Sequence, residues 1–438
     1  MKPDAIFNMS PVKSKILKGT AIYFFLLLSQ FTVGMEKISY AEDSQNIEYE
    51  KPPKFKASRM MPAHLLKGRG YKVEEEVFND GFRNTYMIRS NYGFFNAYGD
   101  EMLRIRVNEV HAIDKLTHLK NSDEFLEGAS KAINVPISLA KGIFNNPVDT
   151  VTGVGKGMGK FLGRIGEMAT GKRGETEDHA TKELIGFSAA KRMLAGRLKV
   201  DVYSTNKKLQ EELDSVSWAT FSGGFAVSMG MSQAAKILGG INISGRMNKL
   251  LQDNAPEDLR KINRGKLLQM RVSEELTDRF LEHPYYSPRH ETILVGALEQ
   301  MKEARSKQKF IRLALGASSL DMAFHFQRVA ELMQNYDEVK KNIIDISMHP
   351  DLPNVPVCRD KDGTVILPLV WDYGIWNQKA DLGSAKLASI FQEKLKEGRV
   401  KIWMSGKLSQ RARDELEARG FVVIENAFER INRPGLLK

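Results

Sequence analysis

The five residues Ala226–Gly230, with Ser228 at their centre, match the composition of a nucleophile elbow, the sharp strand-to-helix turn that exposes a catalytic serine. A hydrolase also needs an acid and a histidine base later in the chain, and Asp321 with His325 or His349 would supply them. The residues before Ser228, however, have a helical pattern, and no alternation of strands and helices surrounds them. We therefore keep a periplasmic hydrolase as the alternative function.

A second group of polar residues follows two apolar runs near the C-terminus. Asp372 comes after the run VILPLV, and Ser405-Gly406 comes after KIWM. If both runs are parallel strands, these residues share the carboxyl edge of a sheet, where open α/β sheets bind ligands. The candidate residues of a ligand-binding edge are Asp372, Trp376, Ser405, Gly406 and Lys407, with Asp372 also a catalytic candidate. We favour ordinary loop and cap chemistry for them over ligand binding, because a lone aspartate defines no reaction.

The histidines and the single cysteine do not form a recognisable ligand set for a metal ion. His179 and Glu183 are spaced to share one helical face, but no third ligand is evident and the H-E-x-x-H pattern is missing. Cys358 lies in a run that alternates like a strand, and a single cysteine excludes an intrachain disulfide. We predict no metal site and no cofactor.

The segment VTGVGKGMGKFLGRIG, residues 151–166, looks like a phosphate-binding loop but does not meet its requirements. A Walker loop ending at Gly159-Lys160 needs glycine at 154 and serine or threonine at 161, where the chain has Val154 and Phe161. The segment has instead an apolar face at helical spacing, a row of glycines every four residues and a basic stripe. The two rows are Gly155, Gly159 and Gly163, and Lys156, Lys160 and Arg164.

A second segment, Ser215–Ala235, carries no charged residue and repeats this spacing of small side chains. The small residues are Ser222, Ala226, Gly230 and Ala234. The segment is long enough to cross a bilayer, but its many polar side chains lower its hydropathy. For the helices 148–166 and 215–238 we predict tight packing inside protein, and the alternative is contact with a membrane.

The first 41 residues have the pattern of a secretory signal peptide. A lysine-rich start precedes the apolar run Ala21–Leu28, and the small residues Ser39 and Ala41 stand at the positions that a signal peptidase requires. We predict cleavage after Ala41 and export to the periplasm or cell envelope of a bacterium. The net charge is +11, of which the predicted signal peptide carries +3 (five lysines against Asp4 and Glu36), so the mature chain is near +8. This mild positive charge favours an anionic membrane surface or an envelope protein as the partner, and export argues against nucleic acid.

The rest of the chain divides by composition into four segments, and the fold class that they predict is α+β. Residues 42–66 are polar and rich in proline, which indicates a loose arm. Residues 67–99 have the turn clusters of a small antiparallel β meander. Residues 100–346 have helical periodicity, and 347–438 alternate strands and helices as a βαβαβ-like unit.

These patterns favour a non-catalytic exported envelope protein that acts by binding or assembly. Association with a membrane through 148–166 or 215–238 is one form of that function. A periplasmic hydrolase using Ser228, or the edge around Asp372 and Ser405, is the alternative.

Overall fold

The computed structural model describes residues 48–133, 137–138, 182–221, 245–340, 343–349, 352–394 and 398–430. The predicted signal peptide over 1–41, the glycine-rich helix 148–166 and Ser228 lie outside these residues. Of the predicted helix 215–238, only residues 215–221 are included.

The N-terminal part folds into a six-stranded antiparallel sheet with two short helices. The strands are Lys54–Lys56 (β1), Lys67–Gly68 (β2), Tyr71–Val73 (β3), Glu76–Asn79 (β4), Asn84–Ser90 (β5) and Gly93–Tyr98 (β6), and the helices are Ala57–Met60 (α1) and Ala63–Leu66 (α2). β5 is central: β6 pairs with one of its edges, and β3 and β4 pair with the other. Tyr86 and Ile88 point into the core while Met87 between them is exposed, as the period of a half-buried strand requires.

The prediction of a loose arm over 42–66 was wrong for residues 48–66. Ala57 and Leu65 are fully buried, and β1 pairs with β4. Further upstream, Glu50 accepts hydrogen bonds from Trp376 N and Ser409 Oγ, both at 2.6 Å. Buried apolar residues therefore hold this segment on the N-terminal sheet, and the Glu50 carboxylate holds it on the C-terminal part. The polar, proline-rich composition of the segment concealed both contacts.

The middle of the chain is helical, as predicted. Its helices are Asp100–Lys120 (α3), Asp123–Ile133 (α4), Lys182–Leu198 (α5), Lys207–Phe221 (α6), Gly245–Asp253 (α7), Pro256–Gln269 (α8), Glu274–Leu281 (α9), Pro288–Gln300 (α10), Lys307–Ala314 (α11) and Leu320–Lys340 (α12). α10 begins as its sequence predicts, with Ser287 as N-cap and Pro288 in the first turn. Helices α3–α6 share one apolar core, and α8–α12 share another.

The described start of the predicted helix 215–238 lies inside protein. Val216, Ser217 and Ala219 are fully buried in α6, which packs against α3 and α5. Among the described residues, no helix has the length and apolar character needed to cross a bilayer.

The C-terminal part contains a five-stranded mixed sheet. Its elements are Ile343–His349 (β7), Leu352–Asp360 (β8), Val365–Leu369 (β9), Tyr373–Gly374 (β10), Gln378–Ala388 (α13, extended by a π turn over Ser389–Lys394), Val400–Met404 (β11), Lys407–Leu408 (β12), Gln410–Ala418 (α14), Phe421–Ile424 (β13) and Ala427–Arg430 (α15). The strand order is β13-β11-β9-β8-β7, and β9, β11 and β13 are parallel. The predicted βαβαβ unit is therefore present. β7 begins inside the segment 100–346 that was predicted to be helical, because Ile343 and Ile346 pair with β8 and face the core.

This sheet is the middle layer of three. Ile366 and Trp403 face the core that α12 shares, whereas Leu367 and Ile402 face the core beneath α13 and α14. Residues at the carboxyl ends of β9 and β11 therefore lie between helices on both sides.

Glu50 provides a test of how firmly the N-terminal segment is anchored. We expect Glu50→Ala to lower the free energy of unfolding by about 1–3 kcal/mol, because it leaves the Trp376 N–H and the Ser409 hydroxyl without their acceptor. Urea denaturation of the full chain measures the change. Lys51→Ala, at an exposed neighbouring position, is the control. Equal effects of the two substitutions would contradict the anchoring role.

Candidate functional site

Asp372, the acidic residue of the predicted edge, binds the N-terminal sheet and a helix end. Its Oδ2 accepts a hydrogen bond from Asn84 N at 2.9 Å, and its Oδ1 accepts one from Asp100 N at 3.1 Å. Asp100 is the first residue of α3, so the carboxylate lies where the helix dipole favours negative charge. The preceding Gly99 has φ of 101°, a conformation that glycine adopts without strain.

A second carboxylate lies beside the first. Asp100 Oδ1 accepts hydrogen bonds from Tyr86 OH at 2.6 Å and from Asn84 Nδ2 at 2.8 Å. Burial raises the pKa of Asp372 to about 7, and the charge of Asp100 adds to this effect. Burial also raises the pKa of Asp100, against the hydrogen bonds from Tyr86 and Asn84. The pair therefore retains a proton at a pH where an exposed aspartate is ionised.

The structure brings Ser405, Gly406 and Lys407 next to Asp372, as the parallel strands predict. Ser405 Oγ donates to Trp371 O at 2.7 Å, and Lys407 N donates to Asp372 O at 3.0 Å. A Cβ on Gly406 would lie 2.1 Å from Asp372 O, so only glycine fits there. The Lys407 side chain is exposed. Within the described part of the chain, no histidine contacts Ser405 or Asp372, and their hydrogen bonds fasten loops together.

Trp376, the fifth residue of the predicted edge, lines a pocket next to this cluster. The pocket holds about 160 Å³ of space for water-sized molecules. Protein interiors rarely leave voids larger than a single water molecule, which needs only about 10–15 Å³ by the same measure. Most of its walls are apolar side chains, among them Leu367, Trp371, Ile402, Met404, Leu408 and Leu416.

The pocket opens where two strands of the sheet separate. β8 and β9 pair only through Cys358 with Ile366 and Arg359 with Val365. Beyond these pairs β8 has Pro356 and β9 has Pro368, which lack the N–H that a ladder requires. Both prolines line the pocket. The sequence analysis did not predict this interruption, although prolines within two apolar runs are a signal that could have indicated it.

Two of the polar side chains that line this apolar space are Arg83 and His325, and the sequence did not mark either as a ligand contact. The Arg83 guanidinium forms no hydrogen bond or ion pair with any described residue. The His325 ring contacts the Phe326 ring but likewise has no hydrogen-bonding partner in the described structure. Burial, with a smaller effect of Arg83, lowers the pKa of His325 to about 3, so the ring is neutral. A neutral imidazole offers one donor and one acceptor.

Polar residues at the other end of the pocket are already engaged. The Arg419 guanidinium stacks over the Trp376 ring at 4.6 Å, forms an ion pair with Asp381 and donates to Ser384 Oγ. Ser384 Oγ itself donates to Ala380 O at 2.6 Å. Lys379 also lines the pocket and has an interaction of its own, so Arg83 and His325 are the charged or ionisable lining residues whose side chains form no hydrogen bond in the described structure.

Asp321, the proposed acid of the hydrolase, is not paired with His325. Both residues are on α12, but Asp321 lines a cleft elsewhere, and no hydrogen bond or ion pair joins them. Among the described residues, no group of three or more His, Cys, Asp or Glu side chains is placed to hold a metal ion. No family model, curated protein or solved structure matches the chain.

The raised pKa of Asp372 predicts how its contribution to stability depends on pH. Between about pH 4 and pH 7, Asp372 binds more protons in the folded chain than in the unfolded chain. Its contribution to the free energy of unfolding therefore falls as the pH rises through that range. We expect the free energy of unfolding of the wild type, relative to that of Asp372→Asn, to decrease from pH 5 to pH 7.5. Urea denaturation at both pH values measures it.

The exposed carboxylate of Asp414 gives a matched control. Asp414→Asn should leave the pH dependence of the wild type unchanged. If Asp372→Asn also leaves it unchanged, Asp372 is ionised across the whole window and the assignment of the shared proton is wrong.

Proposed function

We propose that this chain is a non-catalytic binding protein of the bacterial cell envelope and that the apolar pocket holds its ligand. The ligand is an amphiphile with an aliphatic part and an acidic head group, of which a fatty acid is the simplest example. The observation that carries the proposal is the pocket, whose walls are apolar except near a few polar groups. Specific ligand pockets have this composition in general.

The aliphatic part of the ligand would lie against the sheet. Leu367, Ile402 and Met404 form one wall, and Leu387 on α13 and Leu416 on α14 form the opposite one. Each methylene group that leaves water for such an environment contributes about 0.8 kcal/mol. Micromolar binding corresponds to about 8 kcal/mol, so about ten buried methylene groups supply it before the cost of immobilisation, which the head group contacts help to offset.

The head group would lie near Arg83 and His325. The charge of Arg83 acts on the Asp372 carboxylate, but its guanidinium forms no hydrogen bond or ion pair in the described structure. Its donors can therefore bind an anion, and its planar group matches the two oxygens of a carboxylate. The neutral His325 ring can donate a further hydrogen bond to the same head group. These two side chains fix which end of the ligand enters first.

The hydrogen bonds of the predicted catalytic residues support binding rather than hydrolysis. Asp372 uses both carboxylate oxygens on backbone N–H groups, and the Ser405 hydroxyl donates to a backbone carbonyl. A hydrolytic serine needs instead a hydrogen bond to a base. The alternative that depends on Ser228 stays a prediction, since that residue lies outside the described structure.

Filling the pocket from α13 tests the proposal directly. A side chain at Gly383 would start in open space, because no atom lies within 4 Å of an added Cβ, and this residue lines the pocket. We expect Gly383→Trp to weaken binding of dansylaminoundecanoic acid by at least about tenfold, measured by fluorescence titration, without lowering the melting temperature.

Gly265→Trp is the control, because Gly265 is also helical with open space around its Cβ and lies away from the pocket. It should leave the probe affinity unchanged. Equal affinity of the wild type and Gly383→Trp would reject the pocket as the ligand site, and absence of saturable binding to the wild type would reject the proposed function.

Arg83→Gln tests the head group. We expect the carboxylate probe to bind about tenfold more weakly, because a charge-assisted hydrogen bond is lost, while the neutral probe N-phenylnaphthylamine keeps its affinity. Arg89→Gln, on the same sheet but paired with Glu74, is the control. Equal losses for both probes would show that Arg83 shapes the pocket and does not bind a head group.

A further inference from the structure

A polar cleft lies where the two helical cores meet. Its walls come from α3, from the connection 199–205, from the start of α10 and from the first half of α12. The space for water-sized molecules is about 130 Å³, room for several waters. Junctions between packed units are common positions for ligand sites.

Two arginines in this cleft have donors that no described residue uses. Arg104 on α3 makes no hydrogen bond or ion pair within the described structure. Arg289 has a side chain only 12% exposed and forms an ion pair with Asp201, whose Oδ2 lies 3.8 Å from Nε, beyond hydrogen-bonding distance. A guanidinium carries five N–H donors, and leaving them unpaired in a nearly buried position is costly.

The neighbouring Arg106, by contrast, forms hydrogen bonds with side chains of the cleft. Arg106 donates to Glu109 at 2.7 Å and to Thr205 Oγ1 at 2.9 Å. Glu109, which is 1% exposed, also accepts from Asn206 Nδ2 at 2.9 Å. This network forms one end of the cleft. Arg104 and Arg289 are the arginines of the cleft that form no hydrogen bond in the described structure, and the exposed Lys199 lies at its rim.

A buried acceptor in the same cleft also lacks a partner. Gln327 on α12 is 3% exposed, and its Nε2 donates to Glu331 at 3.3 Å. Its Oε1 is buried and accepts no hydrogen bond. A ligand that satisfied this atom would need a donor, such as a hydroxyl group.

We infer that this cleft is a second binding site, for a small hydroxylated oxyanion. Arg104 and Arg289 bind the carboxylate or phosphate oxygens of the ligand, and Gln327 Oε1 accepts a hydrogen bond from its hydroxyl group. The site is separate from the apolar pocket and does not depend on the function proposed for that pocket.

Malate and glycerol phosphate are suitable probes, because each combines a hydroxyl group with one of the two oxyanions. Isothermal titration of the full chain should show saturable binding of at least one of them at constant ionic strength. The preferred probe tells whether the oxyanion is a carboxylate or a phosphate. If neither binds, the inference is wrong.

Substitutions then test each contact. Arg289→Gln should weaken binding about tenfold or more, since it removes charge-assisted hydrogen bonds. Arg104→Gln should do the same without depriving the Asp201 carboxylate of its neighbour, so it remains informative if Arg289→Gln unfolds. Arg279→Gln, on α9 and away from the cleft, is the control, with a side chain 64% exposed. Unchanged affinity in Arg104→Gln and in a folded Arg289→Gln would overturn the inference.

Gln327→Met separates the hydroxyl contact from the charge contact. It should weaken the binding of malate but not that of succinate, which lacks the hydroxyl group; if glycerol phosphate is the preferred probe, inorganic phosphate is the matched comparison. An equal effect on both members of the pair would show that Gln327 supports the cleft and does not contact the ligand.

Discussion

The backbone and side chain of Asp372 together make the junction on which the described fold depends. Its carboxylate accepts from Asn84 N and Asp100 N, its own N–H donates to Phe82 O at 2.9 Å, and its carbonyl accepts from Lys407 N at 3.0 Å. One residue thus joins the N-terminal sheet, the start of α3 and the β10–β12 pair. An asparagine cannot replace it without loss, because only a carboxylate offers acceptors on both atoms. The pKa of Asp372 is raised mainly because the group is buried at this junction, and the charge of Asp100 adds to the effect.

The junction also builds the apolar pocket. Phe82 and Arg83 reach its lining from the N-terminal sheet, and Trp371 reaches it from the C-terminal sheet. The Phe82 and Trp371 rings pack with centroids 4.6 Å apart, directly next to the hydrogen bonds of Asp372. The ligand site that we propose is therefore a product of two sheets held together. Its two polar residues, Arg83 and His325, are separated by more than half of the chain.

α12 connects the proposed site to the second one. His325 and Val329 face the apolar pocket, whereas Phe324 and Gln327 face the polar cleft. One side of this helix therefore lines an apolar pocket with few polar groups, and the other side lines a cleft that contains several arginines. The low pKa of His325 and the unpaired Oε1 of Gln327 both follow from burial on opposite faces of this helix.

The sequence by itself determined the α+β class, the antiparallel N-terminal sheet, the capped start of α10 and the βαβαβ unit, because these follow from local periodicity and turn chemistry. It also placed Asp372, Ser405, Gly406 and Lys407 at one edge, since the carboxyl ends of parallel strands meet.

Only the tertiary structure decided what those residues do. Whether Asp372 faces solvent or the N–H groups of Asn84 and Asp100 depends on partners far away in the chain. The same holds for the anchored segment 48–66, whose prolines suggested a loose arm. It also holds for the pocket, because its lining residues have the composition of an ordinary core, and the space between them exists only where β8 separates from β9. Local patterns fix elements, but long-range contacts fix which side chains lack partners, and those are the ones available to a ligand.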